Sequence, residues 1–135
     1  MPHNSLPPEP GSAEQWLWHA EGDLALARTQ AFSKFPIELL IFHAEQVVEK
    51  SIKAILVHFN ASVPKTHNLE LLMDVAAAYV EIPSEIRAAE DLTPYATIGR
   101  YPGDYEPNSE DAYLDAIAKA EKVILWAQNI CKNNK

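Results

Sequence analysis

One stretch of the sequence combines a cation, a carboxylate and two aromatic rings. The segment GRYPGDYEP, residues 99–107, places Arg100, Tyr101, Asp104 and Tyr105 among turn-forming glycines and prolines. A guanidinium can bind a phosphate through two parallel hydrogen bonds, and a tyrosine ring can stack on a nucleobase. These residue types predict a ligand-binding loop, with a nucleotide as the ligand they suit. The structural alternative is an Arg100–Asp104 salt bridge with both tyrosines packed over the end of a bundle.

A second candidate is the polar face of a helix predicted over residues 36–60. Its polar side chains recur at helical spacing: His43, Gln46, Lys50 and Lys53. Together they could bind an anion or an RNA phosphate. The alternative is a solvated face, because Glu49 lies four residues before Lys53 in the favourable orientation and Glu45 lies close to Lys50.

The segment PKTHNL, residues 64–69, is a third candidate. It places Lys65 and His67 before a predicted helix, and the N-terminus of a helix favours anions. The alternative is that Thr66, His67 or Asn68 caps the helix and that His67 merely packs against its neighbours. The residues alone leave both interpretations open.

Several other chemistries lack their sequence patterns. The sequence has no CxxC, HExxH or EF-hand pattern and no pair of ExxH motifs, so we expect no metal site and no cofactor. Its four glycines are isolated and form no phosphate-binding loop. The lone Cys131 predicts a half-buried structural thiol rather than a nucleophile. A formal charge of -8 opposes sequence-independent nucleic-acid binding but allows a local basic site.

The elements that position these residues are predicted to be helices. Residues 1–11 are predicted to form an extended or disordered tail, and residues 12–132 one helical domain. The predicted helices run from a Ser12 cap to about residue 32, over 36–60, over 69–79, from about 84 to about Leu92, and from an Asn108 or Ser109 cap to the frayed end. Pro94 is predicted to lie within or just after the fourth of these helices and to kink or end it. No stretch alternates as a strand does, so we predict an all-α, up-and-down antiparallel bundle of four to five helices.

The helix over 36–60 is predicted to be central because its apolar arc is unusually wide. The first row of that arc consists of Ile37, Ile41, Ala44, Val48, Ile52, Ile55 and Phe59, and a second row runs beside it. Such an arc could exceed what a small bundle covers, which predicts a homodimer. The sequence shows no membrane span or signal peptide, and with a single cysteine it predicts a cytoplasmic protein.

Several stretches together resemble the HEPN domain family, in matching order over about residues 14–129. They are AEGDLALA, HAEQVVEKSIKAIL, PKTHNL and RYP. The resemblance implies a bundle of four or five helices, commonly a homodimer. Many such proteins pair with a minimal nucleotidyltransferase in toxin–antitoxin systems, and others are RNases or nucleotide-binding modules.

The RNase branch of that family uses an arginine followed, after four to six residues, by a histidine. Arg100 matches the arginine, but the histidine positions hold Tyr105, Glu106 and Pro107, and no histidine follows Arg100. Tyrosine is a poor general base at neutral pH. The resemblance therefore implies a nucleotide- or partner-binding module, through the Arg100 loop and the Lys50 and Lys53 face, rather than an active enzyme. A metal-independent RNase with an unconventional site and a purely structural interaction protein remain the alternatives.

Overall fold

The computed structural model describes residues 7–29, 36–92 and 109–133. Five α-helices lie in these ranges, with no strand among them: α1 (Ala13–Ala27), α2 (Ile37–His58), α3 (Leu69–Ala76), α4 (Ser84–Arg87) and α5 (Glu110–Asn133). A 3-10 helix, Ala88–Leu92, continues directly from α4. The all-α prediction is therefore confirmed. Within the described ranges, no helix combines the length and the hydropathy that crossing a membrane requires.

The start of α1 shows how local sequence sets a helix boundary. The Ser12 hydroxyl accepts a hydrogen bond from the backbone N–H of Gln15 at 3.1 Å, as the predicted capping box requires. The Gln15 side chain reaches back one residue further than predicted, because its Oε1 accepts the N–H of Gly11 at 2.7 Å. At the other end α1 stops at Ala27, earlier than the predicted residue 32. Residues 30–35 lie outside the described ranges.

Helix α2 is the centre of the molecule and packs against α1, α3 and α5. Pro36 forms its N-cap, one position before the first turn in which it was predicted. The middle of the predicted apolar arc is fully buried: Ile41, Ala44, Val48, Ile52 and Ile55. Neighbouring helices of the same chain cover this arc. A homodimer is therefore not needed to bury this part of α2.

Side-chain contacts give the directions of the long helices. Trp16 of α1 lies beside Lys53 of α2, whereas Asp23 reaches back to His43, so α1 and α2 are antiparallel. The pairs Arg28–Glu121 and Glu21–Gln128 show that α1 and α5 are antiparallel too. Since α2 and α5 are both antiparallel to α1, they run parallel to each other, and the short helices connect them.

The shorter elements agree with the predicted pattern and differ at their ends. Helix α3 ends at Ala76 rather than Tyr79. Ile86, Ala89 and Leu92 are buried as predicted, but α4 gives way to a 3-10 helix after one turn. Pro94 lies outside the described residues. In α5 the Ser109 hydroxyl caps the N–H of Ala112 at 3.0 Å, and buried Tyr113 donates its hydroxyl to the carbonyl of Ala27 at 2.5 Å.

Candidate functional site

Two carboxylates organise the polar face of α2, and each holds one lysine and one histidine. We call Asp23, His43 and Lys50 the Asp23 cluster. We call Gln46, Glu49, Lys53 and His67 the Glu49 cluster. Four of these side chains were predicted from helical spacing, whereas Asp23 and the partnership with His67 come from other parts of the chain.

The Asp23 cluster joins α1 to α2. Asp23 Oδ1 lies 2.9 Å from Nδ1 of His43, and Oδ2 accepts a hydrogen bond from the Lys50 ammonium at 2.7 Å. Asp23 is buried on α1, and both partners lie on one face of α2 because they are separated by two helical turns. The carboxylate therefore fixes the imidazole of His43 and the ammonium of Lys50 at the helix interface.

The Glu49 cluster joins α2 to the loop before α3. Glu49 Oε2 accepts the Lys53 ammonium at 2.9 Å, which confirms the predicted pair, and Gln46 donates to Oε1 at 3.4 Å. Nδ1 of His67 lies 3.0 Å from Oε1 and 3.1 Å from Oε2. The Glu49 side chain is 6% exposed and that of His67 is 75% exposed, so a buried carboxylate contacts an imidazole at the surface.

The two lysines are not the free cations that the sequence suggested. Lys53 is buried, and its ammonium also lies 5.5 Å from the centre of the Trp16 ring, within cation–π range. Lys50 is half-buried against Asp23. Because each ammonium is paired with a carboxylate, this face offers an external anion much less charge than two solvated lysines would. The solvated-face alternative is also wrong for Lys53.

In the PKTHNL loop, the residue that caps α3 is not the histidine. Asn68 caps α3, since its Oδ1 accepts the N–H of Leu71 at 3.1 Å, and Thr66 Oγ1 accepts the N–H of Asn68 at 3.1 Å. His67 takes no part in the cap. Its exposure is also inconsistent with a residue that merely packs. Lys65 is exposed and makes no ion pair with a described residue.

The predicted Arg100 loop lies outside the described residues. Arg100, Tyr101, Asp104 and Tyr105 therefore stay predicted ligand-binding residues. The same holds for any approach of His67 to Arg100.

Glu45 is the residue that sequence reasoning placed wrongly. It was expected near Lys50, but it is 3% exposed and neither carboxyl oxygen has a hydrogen-bond partner among the described residues. Burial, reinforced by the nearby negative charge of Glu49, raises the pKa of Glu45 to about 9. The sequence did indicate that Glu45 is buried, because it lies four residues after Ile41 and seven before Ile52, on the apolar side of α2.

A groove of about 540 Å³ lies beside the Asp23 cluster. Its lining includes Trp18, Gly22 and Leu26 of α1, and the Asp23–Lys50 ion pair borders it. The groove thus combines an aromatic ring, apolar surface and a paired charge. The sequence pattern did not single out Trp18 as a candidate site residue.

Metal binding has no geometric support in the described parts of the chain. There, no three histidine, cysteine, aspartate or glutamate side chains come together as a metal ion would require. Cys131 is half-buried, and burial raises the pKa of its thiol to about 11. That thiol is a structural group, in agreement with the sequence prediction.

Comparison with known proteins gives consistent results. The family model of the HEPN domain matches residues 13–130. The fold is similar to the crystal structure of an archaeal HEPN homologue, with a TM-score of 0.70, 24% sequence identity, and coverage of 89% of this chain and 98% of the other. No curated protein matches the sequence.

Proposed function

We propose that this chain, which belongs to the HEPN domain family, is a nucleotide- or partner-binding module without enzymatic turnover of its own. The observation that carries the proposal is the groove between Trp18, Leu26 and Lys50 beside the Asp23 cluster. It suits a nucleobase and phosphate better than the lysine face alone, since it supplies an apolar wall as well as charge. The Arg100 loop, with Tyr101, is the second candidate contact.

The chemistry of the groove supports a stacked base. A base stacked on an aromatic side chain typically contributes about 1–3 kcal/mol. Lys50 is shared with Asp23, so a phosphate there competes with the carboxylate and its contribution is smaller than that of an unpaired ammonium. Affinity in the groove should therefore depend more on Trp18 than on Lys50.

The proposal also includes partners. Family membership supports a pairing with a minimal nucleotidyltransferase in a toxin–antitoxin-type system, in the cytoplasm. A homodimer finds its support in exposed leucines rather than in α2: Leu26, Leu114 and Leu125 are all more than half exposed. Large apolar side chains on a surface are common at protein interfaces.

Thermal shift and calorimetry with a panel of mono-, di- and triphosphate nucleotides test the proposal. We expect at least one nucleotide to bind, and Trp18→Leu to weaken binding by about tenfold or more, since the ring is removed while apolar bulk remains. Tyr79→Leu is the matched control, because Tyr79 is an exposed aromatic residue outside the groove that stacks on Phe59. If no nucleotide binds, or if both variants lose affinity equally, the groove is not the site.

A metal-independent RNase with an unconventional site is the second candidate. The observation that favours it is the Glu49–His67 pair, which holds an exposed imidazole in one orientation. An imidazole can act as a general acid or base where the histidine after Arg100 is missing. Cleavage of single-stranded RNA in EDTA that is lost in His67→Ala would support this candidate over the binding module.

A further inference from the structure

We propose that His67 is a nucleophilic histidine that accepts a phosphoryl group on Nε2 from a small high-energy phosphoryl donor. The inference goes beyond nucleotide binding and does not depend on it. It stands on the Glu49 cluster, in which a nearly buried carboxylate contacts Nδ1 of an imidazole that is 75% exposed.

The carboxylate determines which ring nitrogen is reactive. An ionised carboxylate only accepts hydrogen bonds, so Nδ1 must carry the proton that Glu49 receives. In the neutral imidazole the lone pair then lies on Nε2. Because Nδ1 points towards Glu49 and most of the ring is exposed, Nε2 is the atom that a reagent from solvent meets first.

Contacts to the Glu49 carboxylate fix the orientation of the imidazole. Glu49 is held by the Lys53 ammonium at 2.9 Å and by the Gln46 amide, and Lys53 is itself held over the Trp16 ring. A carboxylate constrained in this way cannot easily rotate away from His67. It therefore acts as a positioning residue that also stabilises positive charge on the ring.

The step balances without a separate proton transfer when the donor is phosphoramidate. Phosphoramidate is zwitterionic near neutral pH, with its nitrogen already protonated. When Nε2 attacks phosphorus, the Nε2–P bond forms, the P–N bond of the donor breaks, and ammonia leaves with the bonding electron pair. The imidazole becomes cationic while Nδ1 keeps its proton, and Glu49 lies 3.0 Å from that proton's nitrogen to balance the charge. No oxidant or reductant is involved.

The position of His67 also suits the product. It immediately precedes Asn68, the N-cap of the eight-residue helix α3, and the N-terminus of a helix favours negative charge. Lys65, two residues earlier, is an exposed cation on the same loop. Both features stabilise the negative charge of a phosphoryl group that is bound to the imidazole.

Two of the three other described histidines provide internal comparisons. His43 has the same carboxylate contact, through Asp23, but its side chain is only 23% exposed. His19 is exposed and packs edge-on against Trp18, and its ring makes no carboxylate contact among the described residues. Exposure and a positioning carboxylate thus occur together at His67.

The test is incubation of the full chain with phosphoramidate, followed by peptide mass spectrometry and phosphorus NMR. We expect His67 to gain an acid-labile phosphoryl group faster than His19, and we expect the adduct on Nε2. Glu49→Gln should slow modification of His67 by about tenfold or more while His19 is unaffected, because the amide neither fixes the tautomer nor balances the charge.

Three results would overturn the proposal: equal rates at His67 and His19, an adduct mainly on Nδ1, or no effect of Glu49→Gln in a folded variant. The comparison within the wild-type chain decides the question even if Glu49→Gln unfolds, which a rise in modification of His43 would reveal. Phosphoramidate has no base or sugar. Its reaction therefore reports on His67 alone, and a failure of nucleotide binding remains a separate result.

Discussion

Replacing Glu45 with glutamine should make the protein more stable, and increasingly so as the pH rises. The Glu45 carboxyl is 3% exposed and its oxygens have no hydrogen-bond partner among the described residues. Its pKa is raised from 4.5 to about 9, first by burial and then by the charge of Glu49. Glutamine has almost the same shape and is uncharged at every pH, so Glu45→Gln removes the ionisation and little else.

The sign follows from proton binding. Between pH 4.5 and about 9 the unfolded chain has released the Glu45 proton while the folded chain retains it. The free energy of unfolding therefore falls as the pH rises, by about 1.4 kcal/mol per pH unit for this one group. Below pH 4.5 ionisation of Glu45 does not lower the free energy of unfolding, and at pH 7 it lowers that free energy by about 3 kcal/mol. That is a large fraction of the 5–15 kcal/mol typical of a domain.

Urea unfolding at pH 5, 6, 7 and 8 measures the effect. We expect the stability difference between Glu45→Gln and wild type to grow by about 4 kcal/mol from pH 5 to pH 8, in favour of the variant. Glu81→Gln is the matched control, because Glu81 is exposed and its replacement should shift stability by less than about 0.5 kcal/mol at any pH. Parallel curves for Glu45→Gln and wild type would show that Glu45 is ionised in the folded chain and that our reasoning is wrong.

Three further predictions concern other residues. Tyr113→Phe should lower the free energy of unfolding by about 1–3 kcal/mol in urea, because the carbonyl of Ala27 loses its buried donor; an unchanged midpoint would contradict this. Cys131, with its pKa raised to about 11, should react with a disulfide reagent about a hundredfold more slowly at pH 7.5 in the folded chain than in urea, and equal rates would refute the assignment. Single-stranded RNA in EDTA should remain intact, whereas robust cleavage that disappears in Arg100→Ala would identify an active enzyme.

Helix positions and the core followed from periodicity, because burial against several neighbours imposes a 3.6-residue repeat on the sequence. Ser12, Asn68 and Ser109 mark helix starts for the same local reason, since a short polar side chain satisfies a free backbone N–H. The pair Glu49–Lys53 was equally predictable, because its partners are one turn apart.

The side-chain contacts that build the site were not predictable in this way. His43 and Lys50 meet Asp23 across 20 and 27 residues, and His67 meets Glu49 across 18 residues. Such contacts depend on how helices pack, which the spacing of residues along one helix does not encode. Periodicity also assigned Lys53 to the surface, because the Trp16 ring that covers its ammonium belongs to another helix.

The packing of α2 against α5 has a consequence for the newborn chain. Cys131 of α5 lies 3.9 Å from the carbonyl of Ala54 on α2, so the two helices meet although His58 and Glu110 are separated by about fifty residues. A ribosome adds about 5–20 residues per second. Synthesis of α1 and α2 is therefore complete roughly 4–15 s before residue 133 is added, and the apolar side that α5 later covers has no partner during that interval. We expect the nascent chain to be more prone to chaperone binding and aggregation during that interval than the finished fold, because transiently exposed apolar surface promotes both.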